Sequence, residues 1–167
     1  SLVLQLQNKP DLLPGRQIIG AFLFSPWTNL MCNTPEYYTN AFAKIRSPQT
    51  FKDLTPLQQF VGDIIFQSLT EENAGEFSAN ALEYVGYKSR LQTDPIASPY
   101  FADVEDYKGK HLPALHIAVG GSESIMGDSV RVAYKAAEAG WEVSLEIYNG
   151  MWHVFPMYSE GCGSGSE

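Results

Sequence analysis

Residues 114–149 constrain the fold more than any other part of this chain. "ALHIAVG" (114–120) is a short apolar run, followed by a helical pattern over about 127–139 that closes at Gly140. "EVSLEIYN" (142–149) then places Val143, Leu145 and Ile147 on one face of a second strand. Strand, helix and strand joined by short loops form the βαβ unit of a parallel sheet, whose crossover is right-handed. The chain is therefore read as α/β.

Upstream, "RQIIGAFLFSPW" (16–27) is another apolar run, stopped by Pro26. Its near-continuous hydrophobicity predicts a parallel strand covered on both faces. Before it, "SLVLQLQNKP" reads as the tail of a buried helix ending ahead of Pro10, with a short strand as the alternative. Nothing in front of it supplies a helix start, so the sequence reads as beginning in mid-fold. Residues 31–93 lose strand periodicity. Within them, "TPLQQFVGDIIFQSLT" (55–70) spaces Leu57, Phe60, Val61, Ile64, Ile65 and Leu69 as a helix would, behind Thr55 as cap and Pro56 at the first turn. A second helix is expected over 78–85, and "DPIASPYFAD" (94–103) reads as ordered but irregular. The expected organisation is core at 1–30, a helical insertion at 31–93, and core again at 94–167.

The 167 residues carry a net charge of −8, which disfavours nucleic acid or an anionic membrane surface as a partner. No apolar stretch approaches the length of a membrane span. Cys32 and Cys162 lie far apart without metal-ligand spacing and read as two unpaired thiols.

Open parallel sheets collect chemistry at the carboxyl ends of their strands, which singles out the loops after Phe24, Val119 and Tyr148. The second of these carries Glu123 and the third carries His153. Loops leaving neighbouring parallel strands meet at one edge, so these two side chains can touch. A carboxylate on one imidazole nitrogen fixes the tautomer and leaves the other nitrogen as a general base. That is the acid and base half of a hydrolytic triad. The strained turn G-x-S-x-G that would expose a nucleophilic serine is absent; Gly120-Gly121-Ser122-Glu123-Ser124 lacks the final glycine. Asp128, just ahead of the predicted helix, is the better helix cap. Ser122 and Ser124 read as turn residues. His111 and His116 read as structural, and no histidine has companion metal ligands.

"DPIASPYFAD", "HIAVGGSESIMGDSVRVAYKAAEAG" and "GMWHVF", in this order, resemble the C-terminal half of the hormone-sensitive-lipase-like group of α/β-hydrolase esterases. "FLFSPWTNL" (22–30) resembles the strand after that family's nucleophile helix. The resemblance implies an α/β-hydrolase fold with a cap over 31–93, Glu123 as triad acid and His153 as triad base. Ile125 and Asp128 match further positions of the acid loop, and Gly127 departs from it. The nucleophile elbow and oxyanion loop would lie before residue 1, so Ser1 is not the nucleophile. The implied activity is hydrolysis of a small-molecule ester, with no cofactor. The implied partner is the N-terminal half of the same hydrolase, as a companion chain or a preceding segment. The alternatives are a hydrolase-fold binding protein or receptor that has lost catalysis, and a lyase on the same fold.

Overall fold

The structure, a computed structural model, describes residues 2–44, 60–67, 74–109 and 113–158. In chain order its elements are α1 (Leu2–Asn8), β1 (Gly20–Phe24), α2 (Glu36–Thr39), β2 (Ala41–Lys44), β3 (Phe60–Val61), β4 (Asp63–Gln67), α3 (Ala74–Tyr84), α4 (Val104–Tyr107), β5 (Ala114–Gly120), α5 (Met126–Glu138) and β6 (Val143–Tyr148). The leading segment is thus helix rather than strand.

The main sheet is parallel throughout its described part, in the order β1-β5-β6. Register places Leu23 beside Ile117 and Ile117 beside Leu145, so one face is a continuous aliphatic row. Against it pack Val132, Ala133 and Ala136 of α5, Leu4 of α1 and Tyr107 of α4. Ile117 exposes nothing, and burial of such a side chain contributes about 1.5–3 kcal/mol. The helix ends in a Schellman motif: Gly140 (φ +95°) donates to the Ala137 carbonyl and Trp141 to that of Ala136. Trp141 then buries its ring against Tyr107, 5.8 Å away between centroids.

The other face of the sheet differs from expectation. β1 alternates in exposure, with Phe22 at 54% and Phe24 at 49%. Among the described residues the helices cover only the side carrying Ala21 and Leu23. Phe22 instead stacks on His116 of β5, centroids 4.3 Å apart.

A second, smaller sheet has the order β3-β2-β4, with β2 antiparallel to β3 and parallel to β4. The helix expected over 55–70 is therefore not formed across its described part, since 60–67 is extended. Phe60, Val61, Ile64, Ile65 and Phe66 are types that suit a strand, and a short apolar run satisfies either period. Gly62, at φ +92°, breaks the backbone between β3 and β4. The helix expected near 78–85 is present as α3, starting earlier.

The irregular segment at 94–103 is ordered by hydrogen bonds. Buried Lys135 of α5 donates to the carbonyls of Tyr100 (2.6 Å) and Ala102 (2.5 Å). The Ser98 hydroxyl donates to the Thr28 carbonyl and accepts the Leu30 N–H.

Candidate active site

The site is built where β1, β5 and β6 end. Gly120 closes β5, and the acid loop turns back on itself through the Glu123 N–H to the Gly120 carbonyl. The loop after β6 crosses directly over it: Gly121 donates to the Tyr148 carbonyl and Ser122 to that of Met151. The crossing requires glycine at 120. A Cβ there would meet the Met151 carbonyl oxygen at 2.3 Å and that of Trp152 at 2.8 Å.

This crossing brings together the two side chains singled out in the sequence. His153 Nδ1 lies 3.2 Å from Glu123 Oε2, and the Glu123 side chain has no exposed surface. A carboxylate removed from water needs donors to offset the lost hydration. The other oxygen, Oε1, has two, the Ser25 hydroxyl at 2.5 Å and the Gly120 N–H at 2.6 Å. With Nδ1–H donating to the acid, the neutral imidazole keeps its lone pair on Nε2, the tautomer a general base requires.

Ser25 is a site residue that the sequence reading missed. It follows β1, sits in the left-handed region at φ +44°, and is buried. Its Oγ also accepts the N–H of Val154 at 3.0 Å. Val154 is itself left-handed at φ +47°, a conformation that costs a β-branched residue about 1–3 kcal/mol and persists only when its surroundings impose it. Ser25 is tied to Glu123 and to the residue after His153, so this hydroxyl is not placed as a nucleophile. The available signal was positional: a serine directly after an apolar strand, in one of the three loops at the carboxyl edge of the sheet.

Asn40 and Asp63 were missed as well. The Asn40 amide donates to the carbonyls of Glu123 (3.0 Å) and Gly121 (3.3 Å). Fully buried Asp63 accepts the N–H of Ser124 at 3.0 Å and of His153 at 3.1 Å. No pattern in the sequence marked Asp63, which lay inside an expected helix.

Asp128 is not the helix cap. α5 begins at Met126 with Ile125 in the cap position, which puts Asp128 in the first turn. Its Oδ2 accepts N–H donors from Thr28 (3.0 Å) and Asn29 (2.8 Å) and the Tyr37 hydroxyl (3.1 Å). Burial pushes the carboxyl up to about 7, against the pull of these donors and with a further push from nearby Glu36. Asp128 thus fastens the loop after β1 to α5. Glu36 has its own reason to be there, because Gly127 leaves room for it: a Cβ at 127 would meet Glu36 Oε2 at 2.4 Å.

Ser124 is buried, with its hydroxyl 3.5 Å from the Asn40 carbonyl, and Ser122 is half-buried in the turn. His116 sits apart from the site, on β5 with its Nε2 3.9 Å from Glu146. Cys32 is a free, buried thiol pushed up to about 12 mainly by burial, which makes it a poor nucleophile. Ser1, His111 and Cys162 lie outside the described residues. Among the described residues no cluster of His, Cys, Asp and Glu could hold a metal, and no helix is long and apolar enough to cross a membrane.

A family model for the alpha/beta hydrolase fold matches residues 1–157. An esterase of Acinetobacter venetianus is 26% identical over 159 residues, 95% of this chain and 41% of that protein. A hormone-sensitive lipase from a metagenome library matches at TM-score 0.63 and 28% identity, over 93% of this chain and 42% of its own. The EstE5–PMSF structure matches at TM-score 0.61 and 26% identity, over 96% and 44% respectively. The chain spans less than half the length of these relatives. With its parallel sheet and with relatives of this kind, the chain belongs to the alpha/beta hydrolase fold family, as a partial match to its hormone-sensitive-lipase-like members.

Proposed function

We propose that this chain supplies the acid and the base of a carboxylic-ester hydrolase, Glu123 and His153, to a nucleophilic serine outside it. The observation that carries the reading is the 3.2 Å approach of His153 Nδ1 to a carboxylate that is fully buried and held by two further donors. Likeness to esterases supports the ester as substrate class.

In this mechanism the serine hydroxyl attacks the ester carbonyl while His153 Nε2 takes its proton. Glu123 holds the ring and stabilises the imidazolium that forms. The tetrahedral intermediate collapses, and the leaving alkoxide takes the proton back from Nε2. The acyl group stays on the serine until a water, deprotonated by the same Nε2, releases it as the acid. Donors for the oxyanion come, like the serine, from the remainder of the hydrolase, either a companion chain or a preceding segment. No step calls for a cofactor. We assign residues 31–93, which contain Asn40 and Asp63, to the cap of this hydrolase.

A fluorophosphonate probe followed by intact mass measurement tests the proposal. An adduct on a polypeptide segment outside these 167 residues, abolished by His153→Ala, is the expected result. An adduct on one of this chain's own serines would overturn the assignment of the nucleophile. Absence of any adduct would favour a hydrolase-fold binding protein.

A further inference from the structure

The separation between Glu123 and His153 is set by two loops that leave different strands and that the N–H groups of Gly121 and Ser122 already join. A third element ties them together again. Asp63, at the start of β4, directs one carboxylate oxygen to each loop: Oδ2 accepts the N–H of Ser124, the residue after the acid, and Oδ1 accepts the N–H of His153 itself. The two oxygens of a carboxylate are rigidly spaced, so this single side chain bridges the two backbones at the residues that flank the pair, Ser124 and His153.

Asp63 is in turn held by its own N–H, which donates to the Asn40 carbonyl at 2.9 Å. The Asn40 side chain then grips the carbonyls of Glu123 and Gly121. The acid loop is thus held through both its N–H and its C=O groups by Asp63, at the start of β4, and Asn40, just ahead of β2. Asp63 contacts His153 at the backbone N–H. It acts through the backbone.

We propose that Asp63 is a positioning residue: with Asn40 it clamps the acid loop to the base loop and thereby sets the Glu123–His153 hydrogen bond. The proposal rests on the reading of Glu123 and His153 as triad acid and base. A site whose supporting contacts are loosened by about 1 Å loses roughly 100-fold in rate. Asp63→Asn keeps the shape of the side chain but turns an N–H donor toward one of the two backbone N–H groups, so it should fail nearly as badly as Asp63→Ala.

The test is the low-field proton NMR signal of His153 Nδ1–H, identified by its loss in His153→Ala and read in the intact protein. Expected is a sharp signal in the native protein that moves upfield and broadens in Asp63→Asn and Asp63→Ala. In parallel, kcat on a p-nitrophenyl ester should fall about 10- to 100-fold with KM little changed. A native signal that persists unaltered in both variants would overturn the clamp and leave the pair standing. Absence of the signal from the native protein would overturn the reading of the pair, and the clamp with it. Circular dichroism verifies folding; if Asp63→Ala does not fold, the same-sized Asp63→Asn decides.

Discussion

The backbone of Met151 passes so close to Gly120 that a single added methyl group would stand 2.3 Å from its carbonyl oxygen. The obstacle is main chain, which cannot swing aside as the end of a side chain can. Gly120→Ala should therefore push the histidine loop off the acid loop. We expect a loss of about 1–3 kcal/mol in stability, the usual range for overpacking a filled site, together with loss of activity. Thermal unfolding and an esterase assay on the same preparation check this. Unchanged melting would show that the loop has room to yield.

Glu123→Gln preserves shape but presents an amide where Nδ1–H, the Ser25 hydroxyl and the Gly120 N–H converge. Its NH2 would oppose donors and hold the imidazole in the wrong tautomer. If Glu123 is the triad acid, kcat should drop by about 10⁴-fold, as for the equivalent change in other triads. A drop below tenfold would remove Glu123 from the mechanism.

Ser25→Ala removes a donor from the acid and leaves the Val154 N–H without its acceptor. A hydrogen bond to a charged group is worth about 1.5–3 kcal/mol. The expected phenotype is lower stability of that order in urea titration, with the fluorophosphonate reaction slowed but not abolished. Complete loss of labelling with intact folding would make Ser25 the nucleophile after all.

Asp128 gives a pH prediction. Its carboxyl is raised from an ordinary 3.8 to about 7 in the folded protein, so folding favours the protonated form. The stability it contributes is full below about pH 4 and is lost as the pH rises through about 7. Asp128→Asn mimics the protonated state and does not titrate. Melting temperatures taken between about pH 5 and pH 8 should therefore fall for the native protein relative to the variant. Parallel curves would mean that Asp128 is ionised throughout.

Much of this molecule was legible without coordinates because local periodicity and burial agree along β5, α5 and the start of β6, where Val143 and Leu145 pack on the core while Ile147 is exposed. Gly140 ended its helix as expected, and Glu123 and His153 were both legible as residues in loops at the carboxyl edge of the sheet. The reading failed where local pattern was ambiguous. "FVGDIIF" suits a helix or a pair of strands equally, and pairing with β2 decided between them. Asp128 looked like a cap because it stands near the start of the helix in sequence, whereas it lies in the first turn of α5 and its partners, Thr28, Asn29 and Tyr37, are brought to it only by the packing of α5 beside the end of β1.

The sequence by itself determined a parallel α/β core and placed a glutamate and a histidine, Glu123 and His153, on adjacent loops, since strand period and loop order are written along the chain. Only the tertiary structure decided what holds that pair. Ser25, Asn40, Asp63 and the passage of Met151 over Gly120 act across separations of 31 to 129 positions, through hydrogen bonds and excluded volume that have no counterpart in any local pattern.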